Sequence, residues 1–187
     1  MEMILEQVKA FADNAHGDQQ RKYSTDRYIV HPVRVMETCK RYTSSLSLLA
    51  AALLHDVLED TSVSRDELLG YLRTLMNEKD AVHTTDLVTE LTDVYIKASY
   101  PGLNRRTRKT KEKERMKLIS AEAQTIKYAD IMDNCREIAG EDADFAPLYL
   151  RECKALLGTM TRGNKDLQEE ALLVVEEQLR QITLTRL

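Results

Sequence analysis

The stretch Leu46–Asp60, LSLLAAALLHDVLED, constrains this chain more than any other. Its first part holds only Leu, Ala and one Ser, which reads as a helix buried on most faces. It then ends in His55, Asp56, Glu59 and Asp60. An imidazole and three carboxyl groups ending a buried helix are costly unless something cationic compensates, and a metal ion is the simplest such compensation. In one continuous helix His55 and Glu59 share a face, as do Asp56 and Asp60, so two adjoining faces surround one site. The competing reading is an ordinary helix end with solvated acids; the apolar run argues against that much exposure.

A length of 187 residues suits one globular domain, or one domain with an appendage. Six Gly and three Pro are few for that length, which disfavours a turn-rich sandwich or barrel and favours helices joined by short loops, an all-α bundle. With no Trp, packing falls to Leu, Ile, Val and Met. Cys39, Cys135 and Cys153 lack CxxC spacing and fall in helical patterns, so buried thiols in a reducing compartment are expected. The N-terminus lacks a basic segment followed by an apolar one, and no window approaches the length of an apolar membrane span. The expectation is a cytoplasmic protein without a membrane partner. A net charge of −4 gives no global pull towards a nucleic acid polymer.

Periodicity predicts helices over 2–15 (stripe Met3, Ile4, Val8, Phe11, Ala12), from Pro32 onward, over 46–60, from Ser64 to about Met76 with a Ser64/Glu67 capping box, and over 80–97. Further helices are expected over 121–138, ended by Gly140-Glu141-Asp142, and over 145–160 and 166–184. Residues 105–117, RRTRKTKEKERMK, carry eight basic groups against two acids; the plain reading is a solvated helix face with an Arg108–Glu112 pair. His83 is expected at a surface helix start. The last two helices are expected to pack on the core or on a second subunit, so a homo-oligomer stays open.

His31 at a helix start and Asp130 in a buried helical pattern, with Asn134 one turn further on, complete a set of two His and two Asp. Such a mixed nitrogen and oxygen set suits Mn²⁺, Fe²⁺ or Zn²⁺ and has too few oxygens for Ca²⁺. On an octahedral ion it leaves two positions for water and a phosphate oxygen. An anionic substrate needs further cations, for which Arg21, Lys22, Lys127 and the 105–117 run are candidates.

The segments AHGDQQRK (15–22), YIVHP (28–32), LLAAALLHDVLEDT (48–61), VTELTDVY (88–95) and AQTIKYADIMDN (123–134) stand in an order that resembles the HD-domain metal-dependent phosphohydrolases. The resemblance is specifically to the hydrolase domain of the Rel/SpoT alarmone enzymes and to the small alarmone hydrolases. It implies an HD-domain helical bundle over 1–187, with a motif core of about 5–140 and C-terminal helices over 143–184. It implies one Mn²⁺ (Fe²⁺ and Zn²⁺ being alternatives) on His31, His55, Asp56 and Asp130, and Glu59 and Asp60 activating water. Arg21, Lys22 and Asn134 fall on the family's nucleotide contacts. The implied reaction removes 3′-pyrophosphate from guanosine tetra- or pentaphosphate. Nothing here resembles the synthetase domain of the long enzymes, so hydrolysis and not synthesis is expected.

The chain departs from the family where the nucleotide sits. YSTDR (23–27) replaces an SGEP-like segment, Asp18 a Gly, Ile131 an Arg, Asp133 a common His and Glu137 a Thr. His16, inside a family motif, reads as structural support. Two rivals follow from the altered pocket: an HD-type phosphatase for another nucleotide or a phosphorylated dinucleotide, and a non-catalytic nucleotide-binding module, against which Glu59 and Asp60 speak.

Overall fold

A computed structural model describes residues 1–142 and 144–185, apart from the side chains of residues 139, 140 and 185. The expected start of the terminal helices at 143 and the expected end of the unit at 187 therefore lie outside the described residues. The elements are α1 (Glu2–His16), α2 (Val30–Lys40), α3 (Leu46–Leu54), α4 (Val57–Asp60), α5 (Arg65–Leu75), α6 (Glu78–Leu91), α7 (Arg105–Met116), α8 (Ala121–Glu141), α9 (Ala146–Leu157) and α10 (Lys165–Thr185). Among the described residues there is no strand, only one isolated bridge between Gln20 and Arg27. The fold is an all-α bundle, as the scarcity of Gly and Pro implies. No helix among the described residues is long and apolar enough to cross a membrane.

Side-chain caps start most of the helices. Ser45, Asn77, Asn104 and Ser120 accept main-chain N–H groups at the starts of α3, α6, α7 and α8. Ser64 and Glu67 form the expected capping box on α5. Gly17, at φ 57°, turns the chain out of α1 in the left-handed region that a Cβ disfavours. The buried stripe of α1 is Leu5, Val8, Ala12 and His16, and Met3 faces outward.

The core is built around α3, buried from Ser47 to Leu54 and packed on by α1, α2, α6 and α8. α8 lies against α2, α3 and α6 on one side and α9 and α10 on the other. All three cysteines are buried and free.

Five expectations need correction. The helix expected over 46–60 breaks at His55-Asp56: His55 Nδ1 donates to Ala52 O (2.9 Å), and the chain restarts as α4 with Asp56 as its N-cap. The helix expected to reach Lys97 stops at Leu91, because side chains of α7 capture the main chain beyond it. Arg115 donates to Glu90 O and Thr92 O, and Glu112 accepts from the N–H groups of Val94 and Tyr95. Glu112 thus pairs with Arg115, and Arg108 turns to Leu103 O, so the Arg108–Glu112 pair does not form. α8 runs through Gly140 and ends at Asp142, and His83 lies inside α6, 2.7 Å from Glu122.

The loop before α10 is locked onto α8. Gly163 N–H donates to Tyr128 Oη, which donates to Met160 O (2.6 Å). A Cβ on Gly163 would meet Tyr128 Cε2 at 2.5 Å and Thr125 N at 2.9 Å, whereas at Gly158 the nearest atom is Lys154 O at 3.5 Å. Gly163→Ala is expected to destabilise the protein by about 1–3 kcal/mol through overpacking. Gly158→Ala, in helical backbone, should instead be neutral or gain about 0.4–1 kcal/mol. Urea unfolding midpoints check both, and equal midpoints for the two variants would contradict the locking contact.

Candidate metal centre

The break after α3 brings His55 and Asp56 to one point. Neighbouring residues of a regular helix do not face each other, yet His55 Nε2 lies 2.9 Å from Asp56 Oδ2. His31, in the first turn of α2, and Asp130, in the middle of α8, arrive from two other helices. His31 Nε2 is 3.6 Å from Asp56 Oδ2 and 3.2 Å from Asp130 Oδ1, and His55 Nε2 is 3.7 Å from Asp130 Oδ1. Ligand atoms of His31, His55 and Asp56 all lie within 4.8 Å of one another. The structure thus brings all four expected ligands together.

The donor chemistry fits a cation. His55 Nδ1 spends its proton on Ala52 O, and His31 Nδ1 lies 2.7 Å from Asp133 Oδ2, a carboxylate oxygen that only accepts. In their neutral forms both rings would therefore present Nε2 lone pairs to the same point, facing carboxylate oxygens. Although Asp56 approaches His55 Nε2, that buried atom has no hydrogen-bond partner. Burial disfavours charge on His55, but Asp56 and Asp130 outweigh it and push its pKa up to about 10. Burial likewise opposes ionisation of Asp56 and Asp130, yet their cationic neighbours hold both below the usual carboxylate range, His55 foremost for Asp56 and Lys127 for Asp130. This is a place where positive charge is demanded.

The other expected residues divide. Glu59 and Asp60 line the cavity above the cluster, with Glu59 Oε2 accepting from Asp93 N–H (3.0 Å) and Asp60 Oδ2 from Gln19 Nε2 (3.3 Å). Burial and the nearby Asp93 carboxylate push the Glu59 pKa up to about 7. Lys127 lines the same cavity but is paired with Asp130 (2.8 Å). Asn134 donates to Asp130 Oδ1 (2.6 Å). Lys22 is exposed, with Nζ 2.6 Å from Tyr23 Oη. Arg21 is buried and engaged by Glu137 and Asn134.

Sequence reasoning passed over Tyr28 and Arg34, and it noted Asp133 only as a departure on the nucleotide side. Tyr28 Oη donates to Asp56 Oδ2 (2.6 Å), and its ring lies tilted against His16 with centroids 4.4 Å apart. The available signal was helical spacing: Tyr28 and Arg34 flank His31 by three residues each, and Asp133 follows Asp130 by three.

The cavity measures about 880 Å³. Asp56, Glu59, Asp60, Asp93 and Asp130 form its acidic floor, and Arg105, Arg106, Lys109 and Lys113 of α7 line a basic wall. Lys109 is 3.6 Å from Asp93, and Arg105 pairs with Glu152 of α9. Among the described residues, Arg106 and Lys113 have no acidic partner within salt-bridge distance. A second cavity of about 330 Å³ holds Arg21, Lys22, Tyr23 and Glu137 and shares Tyr28, Asn134, Phe145 and Tyr149 with the first.

Comparison with known proteins agrees with this geometry. The chain is 31% identical over 141 residues to a probable GTP pyrophosphokinase of Mycobacterium leprae, an alignment covering 71% of the chain and 16% of the relative. It is 42% identical over 64 residues to a guanosine-3′,5′-bis(diphosphate) 3′-pyrophosphohydrolase of Vibrio cholerae, covering 34% of the chain and 9% of that protein. It thus spans less than a fifth of the length of these relatives. Among solved structures, a metazoan ortholog of SpoT that hydrolyzes ppGpp superposes with a TM-score of 0.73 at 26% identity, covering 95% of this chain and 94% of that one. A Listeria monocytogenes protein shares the fold at a TM-score of 0.57 and 21% identity, over 80% of this chain and 94% of its own. Residues 28–135, which run from the tyrosine on Asp56 to just past Asp130, match the HD domain, and the chain belongs to the HD domain family.

Proposed function

We propose that this chain is a metal-dependent pyrophosphohydrolase acting on guanosine tetra- or pentaphosphate or a close nucleotide. The carrying observation is that His31, His55, Asp56 and Asp130 converge on one point, while Asp56 and Asp130 line the same cavity as the cations Arg106, Lys109 and Lys113 of α7. Such a cavity suits a cation and a polyanion side by side. The named activities of the Vibrio cholerae relative and the metazoan SpoT ortholog supply the substrate class.

His31, His55, Asp56 and Asp130 would hold the ion. Their N₂O₂ set suits Mn²⁺, with Fe²⁺ and Zn²⁺ as alternatives. Such an ion, when bound, polarises a phosphoryl oxygen and acidifies water. Glu59 takes the proton from the attacking water, for which a pKa near neutrality is well matched. Asp60, steadied by Gln19, orients that water. The water oxygen bonds to phosphorus, the bond from that phosphorus to the ribose 3′ oxygen breaks, and the 3′ oxygen takes up the proton that Glu59 removed, so that pyrophosphate and a free 3′-hydroxyl are formed. Lys113 and Arg106 receive the remaining phosphates, and Lys22 and Asn134 face the nucleoside. α9 and α10 belong to the same working unit as the HD region, because α9 supplies Phe145-side residues Leu148, Tyr149 and Glu152 to the cavity. The three buried free thiols suit a reducing cytoplasm.

Incubating purified protein with ppGpp and Mn²⁺ should release pyrophosphate and leave guanosine 5′-diphosphate. No release from ppGpp, with release from another member of a panel of adenosine polyphosphates, deoxynucleotides and phosphorylated dinucleotides, would transfer the reading to that substrate. The pH profile of kcat/KM should rise through about pH 7 as Glu59 loses its proton, then level. Glu59→Gln should lower kcat by roughly 10²–10⁴-fold and remove that limb; an unchanged limb would reassign the base. Lys113→Ala should raise KM about tenfold with kcat little changed, the mark of lost uniform binding. Lys111→Ala, whose Nζ sits over the Tyr95 ring, should leave both constants as they are. An equal KM effect from the two variants would count against a specific phosphate contact.

A further inference from the structure

The polar groups behind the metal-facing atoms form a closed circuit. His31 Nδ1 donates to Asp133 Oδ2 at 2.7 Å. Arg34 clamps Asp133 through Nε to Oδ1 (2.7 Å) and Nη2 to Oδ2 (3.1 Å), and the same Nη2 donates to Glu137 Oε1 (2.7 Å). Arg21 holds the other side of Glu137, with Nη2 donating to Oε2 at 2.7 Å and Nε at 3.1 Å. That Nη2 also donates to Asn134 Oδ1 (2.8 Å), and Asn134 Nδ2 donates to Asp130 Oδ1 (2.6 Å). Asp130 Oδ1 is the oxygen 3.2 Å from His31 Nε2. The path leaves His31 by one ring nitrogen and returns to the other.

Each link has a physical task. A carboxylate can only accept, so Asp133 fixes the proton on Nδ1 and aims the Nε2 lone pair into the site. The planar fork of Arg34 holds that carboxylate in one orientation and compensates its charge, which is buried at 8% exposure. Arg21 has its Nε and Nη2 committed to Glu137 and Asn134, so its substitution disturbs the circuit.

We propose that Asp133, held by Arg34, is a positioning residue for the metal ligand His31, and that Glu137, Arg21 and Asn134 set Asp130 against it. In this arrangement Arg21 serves the metal ligands and does not grip the substrate. The proposal rests on the metal-centre reading of the preceding subsection.

Calorimetric titration of Mn²⁺ into protein dialysed against EDTA tests it without any substrate. Asp133→Ala should weaken Mn²⁺ binding about 10–100-fold, the usual effect of losing a carboxylate behind a ligating histidine. Asp133→Asn, which keeps an acceptor for Nδ1–H and loses the charge, should fall between. Glu137→Gln should weaken binding several-fold from a greater distance. Thermal unfolding in EDTA shows which variants are folded, and Asp133→Asn carries the test if Asp133→Ala is not. A merely structural Asp133 would lower the metal-free melting temperature and leave the Mn²⁺ affinity of the folded protein unchanged, which would overturn the proposal. Wild-type Mn²⁺ affinity in Glu137→Gln together with a raised KM would return Glu137 and Arg21 to the substrate and overturn the circuit. No Mn²⁺ binding by the wild-type protein would sink the metal-centre reading and this proposal with it.

Discussion

Two imidazole lone pairs and two carboxylates meet at one buried point, and much of the structure exists to hold them there. Desolvating such groups costs several kcal/mol per ion. The offset comes from α3, whose leucines at 48, 49, 53 and 54 are almost wholly buried and contribute about 1.5–3 kcal/mol each. The helix that supplies this burial cannot also deliver His55 and Asp56 to one point while it stays regular. The chain resolves the conflict by breaking there, with the His55 ring taking the Ala52 carbonyl. The break costs little, since α4 restarts at once with Asp56 O accepting from Glu59 and Asp60 N–H.

The same economy governs the cavity above. An acidic floor and a basic wall facing each other would collapse into ion pairs if every partner could reach. Three pairs do form: Lys127 meets Asp130, Lys109 meets Asp93, and Arg105 meets Glu152. Arg106 and Lys113 are left without acids, and Lys113 is half-buried, where a cation gains most from an anionic ligand. Glu112, which also lines the cavity, and Arg115 instead fasten the 92–95 segment, which in turn hands its Asp93 N–H to Glu59. One helix thereby lines the anion side and braces the base.

What could be read in the sequence follows from the range of the forces involved. Helix identity and the Ser64/Glu67 box are local, and they were legible from periodicity and caps. The convergence of His31, His55, Asp56 and Asp130 was to be expected from the family resemblance, because they sit in recognisable segments. Long-range capture was not legible: nothing near Thr92 announces that Arg115 and Glu112 will take its neighbours' hydrogen bonds. The fate of Arg21 was hidden for the same reason. Its partner Glu137 lies 116 positions away, and nothing around Arg21 in the sequence points to it.

The departures from the family pattern on α8 make sense as one change. Asp133 and Glu137 are an i,i+4 pair of acids, which on an ordinary helix face repel each other. Here Arg34 donates to both, and Arg21 takes the second side of Glu137. Without Glu137, Arg21 would keep only Asn134, and without Asp133, His31 would lose the acceptor beside its Nδ1. Asp133, at a position where the family resemblance implies a His, also gives His31 an acceptor for its Nδ1 proton. The two acids and two arginines thus form one connected set behind the point where His31, His55, Asp56 and Asp130 meet.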